Sequence, residues 1–357
     1  MARRHGEPVK GRGSASVPDG RYLDWRREHA DDGWWNEEPE SRLPTTVTVE
    51  HPKTVISRNQ SPDIPFEASI NPYRGCAHGC SYCYSRPTHA YLDLSPGLDF
   101  ETKLFAKPEA PAILRRELAG KGYRCTPIAL GTNTDPYQPI EREWRITRGI
   151  IEVLAEHDHP LTIVTKSGLV VRDIDLLAPM AEKNLVQVAV SVTTLQADLA
   201  NRMEPRAAAP ARRLETLRRL AAAGIPTGVM FAPVIPFLND HELESVLERA
   251  AEAGVRWAGY VVVRLPHEIK DLFREWLSLH EPLKAERVMN TLRDLRGGRD
   301  NDPEFFSRQR GTGPFADLIR ARFSKTCERL GLNGESKELR TDLFCPPRPD
   351  TPQMDLF

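Results

Sequence analysis

The chain has 357 residues, 40% apolar and 28% charged, which suits a packed core and a soluble surface in two domains or one large α/β domain with extensions. Its 49 Lys and Arg balance 50 Asp and Glu, which excludes a wholly basic nucleic-acid coat and an acidic disordered chain. Six cysteines are too few for a disulfide scaffold. No apolar run approaches a membrane span and the first residues show no signal-peptide pattern, so the expectation is a cytoplasmic protein with no membrane contact.

Residues 1–60 read as an N-terminal arm, with scattered Gly and Pro and no sustained period. Trp25, Trp34 and Trp35 are expected to pin it to the body through their large apolar area. From 61 to 280 short β-branched runs at 66–71, 127–131, 161–166, 186–192, 227–233 and 257–265 alternate with amphipathic stretches. Ile146, Ile150, Val153 and Leu154 form one apolar helical stripe, and Leu214, Leu217, Leu220 and Ala221 form a second, stopped by Gly224 and Pro226. Leu243, Val246, Leu247, Ala250 and Ala251 form a third. Strand followed by helix, six times over, predicts parallel strands with crossover helices, in a partial barrel or an open doubly wound sheet. Either one collects chemistry at the carboxyl ends of its strands. Residues 281–345 read as a small helical region, with helices at 282–297 and 314–330. Residues 346–357 form a Pro-rich, extended tail.

The segment Asn71-Pro-Tyr-Arg-Gly-Cys76-Ala-His-Gly-Cys80-Ser-Tyr-Cys83-Tyr84 follows the first strand. Its C-x3-C-x2-C spacing lets three thiols face one point, and Gly75 and Gly79 allow turns that a β-carbon hinders. Thiolates hold zinc or iron–sulfur clusters. With only three cysteines nearby, a cubane cluster keeps one iron open; the other reading is a Cys3His zinc site using His78 or His89. Cys125, at the start of the second strand, reads as a buried bland cysteine far from the mouth. Cys327 and Cys345 are too few for a second cluster.

This segment, with the aromatic Tyr82 before its last cysteine, resembles the signature of the radical S-adenosylmethionine (SAM) superfamily. The loop Cys80-Ser-Tyr-Cys83-Tyr84, together with Gly131-Thr-Asn-Thr-Asp135-Pro-Tyr-Gln-Pro-Ile-Glu141, Thr165-Lys166-Ser167, Ser191-Val-Thr-Thr194 and Ala232-Pro-Val-Ile-Pro236, is similar to the spore photoproduct lyase branch, named for a DNA-repair enzyme. The resemblance implies a partial (β/α)6 barrel of TIM type, with the N-terminal arm and small C-terminal helical region attached. It implies a [4Fe–4S] cluster on Cys76, Cys80 and Cys83 whose open iron chelates SAM, and a reductant of flavodoxin or ferredoxin type. It also implies contacts to SAM from Tyr82, Thr134, Lys166 and Ser191, and a catalytic hydrogen relay at Tyr84. At Thr132 the chain departs from the lyase, which there has a cysteine that returns hydrogen to the product; a threonine hydroxyl is a poor hydrogen-atom donor. Tyr137 and Glu141 after the second strand, and Arg202, Glu204 and Arg206 after the fourth, are expected to face the substrate mouth.

The last five residues, Gln353, Met354, Asp355, Leu356 and Phe357, resemble the peptide by which bacterial repair and replication proteins bind the sliding clamp. Between 284 and 340, Lys and Arg exceed Asp and Glu by four, and Ser307-Arg-Gln-Arg-Gly-Thr-Gly313 is a candidate phosphate-contact loop. The reading is therefore a radical SAM enzyme acting on a nucleic acid, in DNA lesion repair or base processing. Alternatives are modification of RNA or a peptide, or an idle cluster protein recruited to the clamp.

Overall fold

The six apolar runs form strands Ala68–Ile70, Ile128–Leu130, Leu161–Thr165, Val186–Ser191, Thr227–Val234 and Trp257–Val262. The structure is a computed structural model, described over residues 8–23, 43–334 and 338–347. These strands lie side by side in chain order and all run parallel, with Ile70 opposite Leu130, Leu130 opposite Ile163 and Val190 opposite Val229. The strand order never reverses, so the sheet is a partial (β/α)6 barrel, not a doubly wound sheet. Ile56–Arg58 adds an antiparallel seventh strand beside the first. Four of the strands are buried at almost every position, as a parallel sheet covered on both faces requires, while Leu161–Thr165 and Trp257–Val262 alternate buried and half-buried positions.

The crossover helices form where the stripes predict. Ile146–Glu156, Pro210–Ala222 and Leu243–Glu252 bury Ile150 and Leu154, Leu217 and Leu220, and Val246 and Leu247. Gly224 ends the second of these helices' turns at φ +76°, a conformation that suits glycine. At the far edge, Pro314–Arg329 lays Phe323 on Tyr260 of the sixth strand, ring centroids 4.7 Å apart. Ala285–Asp294 and the short Ser307–Arg310 complete the C-terminal region. No helix among the described residues is long and apolar enough to cross a membrane.

The N-terminal segment differs most from its reading as an arm. Thr46–Val49 pairs in parallel with Lys103–Ala106, which pairs antiparallel with Tyr73–Arg74, making a three-stranded sheet beside the cysteine loop. Residues 12–16 are buried. They are held by long-range contacts, the Gly13 and Ser14 N–H groups on Glu101, the Arg12 guanidinium on the Glu101 and Leu43 carbonyls and the Ser16 hydroxyl on Glu275, which no local pattern announces. The three tryptophans and the clamp-like pentapeptide lie outside the described residues.

Candidate active site

Cys76, Cys80 and Cys83 lie on one loop after the first strand, and four separate anchors hold that loop. Gln138 accepts from the Ala77 N–H at 2.9 Å and donates to the Gly75 carbonyl at 3.1 Å, so it mimics a strand partner. His78 faces Asp135 at 3.4 Å, both nearly buried, and Asp135 also accepts from the Thr165 hydroxyl and the Lys166 N–H, each at 2.7 Å. Burial opposes the imidazolium, but Asp135 and then Cys76 outweigh it and raise His78 to about 10; Asp135 falls to about 2 in spite of its burial because His78 faces it. The pair is ionised and joins the loop to the second and third strand ends.

The third anchor is Glu204. It accepts from the Tyr82 hydroxyl, from Thr193 at 2.6 Å and from the Arg213 guanidinium, which also donates to the Ser191 carbonyl at 3.0 Å. The fourth is the wholly buried pair Arg86–Glu101. Arg86 donates to the Cys80 carbonyl at 2.9 Å, while the Glu101 carboxylate accepts the N–H groups of Gly13 at 3.0 Å and Ser14 at 2.9 Å. The positive φ of Gly79 is needed here, since a β-carbon would stand 2.5 Å from Glu101 Oε2.

The thiols on this loop lie within electrostatic reach of one another. Cys80 and Cys83 keep some surface, yet crowding by protein atoms pushes both thiols up; Lys166 draws Cys80 back and Arg86 draws Cys83 back. Three thiols beside two cations favour a ligand set that ionises on metal binding. Among the described residues no three His, Cys, Asp or Glu side chains are placed to hold one metal ion. Each histidine of the zinc alternative has one ring nitrogen taken, His78 Nδ1 facing Asp135 and His89 Nε2 at 3.0 Å from the Lys103 carbonyl, while His89 Nδ1 is buried without a partner. The donor set fits a cluster, in which the sulfurs bind separate irons, better than a single zinc ion. Cys125 lies ahead of the second strand, Cys327 is on Pro314–Arg329, and Cys345 is exposed with its N–H on the His157 carbonyl.

Around the thiols, Lys166 directly follows the third strand with its ammonium 5.9 Å from the Tyr82 ring centre, and no carboxylate among the described residues lies within 4.0 Å of it. Burial works against its charge, but Cys80 and Glu204 raise it overall, so it stays an ammonium. Thr134 is buried and donates to the Tyr73 carbonyl at 3.1 Å. Ser191 is buried at the end of the fourth strand. Tyr84 turns outward, 48% exposed, with its hydroxyl on the Thr132 carbonyl.

A family model, the radical SAM superfamily, matches residues 70–250. The chain belongs to the radical SAM superfamily. An uncharacterized protein of Mycobacterium tuberculosis is 39% identical over 232 residues, covering 64% of this chain and 68% of the relative. One from Methanocaldococcus jannaschii is 28% identical over 174 residues, covering 48% and 62%. Spore photoproduct lyase complexed with dinucleoside spore photoproduct has the same fold, with TM-score 0.56 and 17% identity over 80% of each chain. A lyase variant with bound AdoMet and the dinucleoside photoproduct gives the same values.

This radical SAM barrel corrects the expected mouth residues. Tyr137 is wholly buried. So is Glu141, which takes the Tyr73 hydroxyl at 2.5 Å, the Thr147 N–H at 2.9 Å and Arg172 at 2.7 Å. Glu204 is the buried anchor described above. Arg202 pairs with Glu281 at 2.6 Å, and the Arg206 guanidinium reaches Thr45 at 3.3 Å. Charged residues just past a strand end look like mouth residues in sequence; here internal partners take Glu141 and Glu204, while Arg206 stays exposed with its N–H on the His78 carbonyl at 3.2 Å. The sequence reading missed Gln138, His78–Asp135, Arg86–Glu101 and Asn71, whose side chain accepts the Asn133 N–H at 3.0 Å and donates to Thr132 Oγ1 at 3.3 Å. Asp135 and Gln138 stood inside the second-strand motif, and that placement was the available signal.

Proposed function

We propose that this radical SAM protein binds one [4Fe–4S] cluster on Cys76, Cys80 and Cys83, and with SAM abstracts hydrogen from a nucleic acid, in DNA lesion repair or base processing. The observation that carries the reading is the three-thiol loop itself, anchored four ways at the carboxyl end of the barrel. Bound there, the cluster supplies the electron for reductive cleavage of SAM. The chain's residues do the rest. Lys166 offers an unpaired ammonium beside the thiols, suited to a charge-assisted contact with the methionine carboxylate. Tyr82, Thr134 and Ser191 line the same strand ends, with Tyr82 fixed by Glu204. The anchors hold the loop still, so binding spends little on ordering it.

Tyr84 stands on the outward side of the loop, where a substrate enters, and is the candidate hydrogen relay. Thr132 has no thiol to share that task. For the substrate class, support comes from the fold likeness to a lyase solved with a dinucleoside photoproduct. The test is anaerobic reconstitution with iron and sulfide, then reductant and SAM, with 5′-deoxyadenosine read by mass spectrometry. Deuterated damaged DNA and RNA are then screened for label transfer into 5′-deoxyadenosine. The reading requires product from the intact protein and transfer from a nucleic acid; 5′-deoxyadenosine without transfer from any nucleic acid refutes the substrate class.

A further inference from the structure

Beside Tyr84, at the end of the sixth strand, stands a group of arginines. Most have partners inside the protein. Arg296 donates to the Val263 carbonyl at 3.0 Å and the Ser307 carbonyl at 2.9 Å. Arg308 forks onto Asp63 at 2.7 and 2.5 Å; Arg310 lies 3.8 Å over the Tyr260 ring, its Nη1 buried and without a hydrogen-bond partner. Arg264 is the one of the group whose guanidinium faces the exposed Tyr84. Its guanidinium sits 5.8 Å from the Tyr84 ring centre, its Nε is buried with no hydrogen-bond partner, and no carboxylate among the described residues pairs with it. Burial and then the neighbouring Arg308 charge both act against its cation. A half-buried guanidinium beside a like charge is costly unless an anion completes it.

The adjoining loop adds an aromatic element. Phe305 is 49% exposed and Phe306 65%. Phe306 adopts φ +65°, uncommon for a residue with a β-carbon. Asp63 fastens this turn, accepting the Phe306 N–H at 3.1 Å as well as Arg308, and Arg308 lies 4.8 Å from the Phe305 ring. The protein therefore holds a strained turn in place that presents large apolar rings to solvent, and the Asp63–Arg308 pair that fastens it lies within electrostatic reach of Arg264. Cation beside exposed aromatic is the pattern that tracks a single strand, with charge for the phosphate and a ring for the base.

We propose that Arg264 and Phe306 form a strand-binding rim at the barrel mouth, Arg264 taking a phosphodiester and Phe306 stacking on an unstacked base. This rests on the nucleic-acid reading above and gives that substrate its contacts. Arg264 serves the substrate and not the SAM carboxylate, because it meets the exposed Tyr84 whereas Lys166 meets the buried Tyr82.

The test uses the reconstituted full chain and a short, mixed-sequence, fluorescein-labelled single-stranded DNA, with anisotropy followed over a salt series. SAM binding is measured on the same proteins by equilibrium dialysis. Arg264→Ala is expected to flatten the slope of log affinity against log salt by about 0.7, one phosphate contact. Phe306→Ala is expected to weaken binding roughly 5- to 150-fold with the slope unchanged. Both should bind SAM as the parent does. If Arg264→Ala fails to fold, single methylphosphonate substitutions in the DNA replace it, and one position should cost the parent protein the same slope. Parent-like DNA binding by both variants, loss of SAM in place of DNA, or no sensitive methylphosphonate position overturns the rim while leaving the substrate class standing. A parent protein that binds neither this DNA nor its RNA equivalent overturns both.

Discussion

The Tyr84 hydroxyl donates to the backbone carbonyl of Thr132, so an outward aromatic of the cysteine loop rests on the end of the second strand. The contact puts the candidate relay directly against the position where a thiol is absent. Tyr84→Phe keeps the ring and removes the O–H. SAM cleavage should persist, while deuterium returned to product should fall at least about tenfold, the effect of roughly 1.4 kcal/mol on a barrier. Adding Thr132→Cys should restore part of that return. Equal label in parent and Tyr84→Phe product removes Tyr84 from the chemistry.

Cys76→Ala, Cys80→Ala and Cys83→Ala should each abolish reconstituted iron–sulfur absorbance and 5′-deoxyadenosine formation. Cys125→Ala and Cys327→Ala should keep both, because those thiols stand apart from the loop. Iron and acid-labile sulfide assays on the five proteins decide it. Full iron content in any of the first three variants removes that residue from the ligand set.

Glu204 is the buried carboxylate whose loss should cost most. Its burial raises it, but Arg213 and then Lys166 prevail and hold it near about 2, against an ordinary value of 4.5. A depressed carboxylate contributes stability in full above the ordinary value and loses it as pH falls towards the folded one. Denaturant titrations between about pH 5 and pH 2 should therefore show a decline in which Glu204 takes part. Glu204→Gln should flatten that decline and lower stability at neutral pH by about 3–5 kcal/mol, since Arg213 is left buried and unpaired. An unchanged acid limb in the variant would count against the ion pair.

Gln138→Ala removes both bonds to the cysteine loop and strands the Ala77 N–H and the Gly75 carbonyl. Each stranded buried group costs about 1–3 kcal/mol. The variant should still assemble a cluster and lose it faster to a chelator, as followed by visible absorbance. Release at the parent rate would show that the other three anchors suffice.

The thiol motif was legible because it is local: three cysteines, two glycines and an aromatic within nine residues carry their own geometry. The strands were legible because doubly covered strands are apolar throughout. Their order was not, because strand followed by helix suits a barrel and a doubly wound sheet alike, and only the strand pairing separates them. The anchors were harder to read. Glu204 finds Arg213 nine residues on and Tyr82 far upstream, and Glu141 finds Arg172 on another element, so burial was decided by partners that no local pattern announces. Phe305 and Phe306 are set apart by their exposure and by the positive φ of Phe306, which no sequence pattern shows.

Gly13 meets the cysteine loop backbone to backbone: a β-carbon placed on it would lie 1.6 Å from the Gly79 carbonyl oxygen. A segment that reads in sequence as an arm is thus the backing of the loop proposed to hold the cluster. In a genetic screen for colourless, iron-free protein, hits should fall at Gly13 as well as at the cysteines, and an investigator trimming the front of the gene to improve crystals would discard the support of the cysteine loop without touching a cysteine.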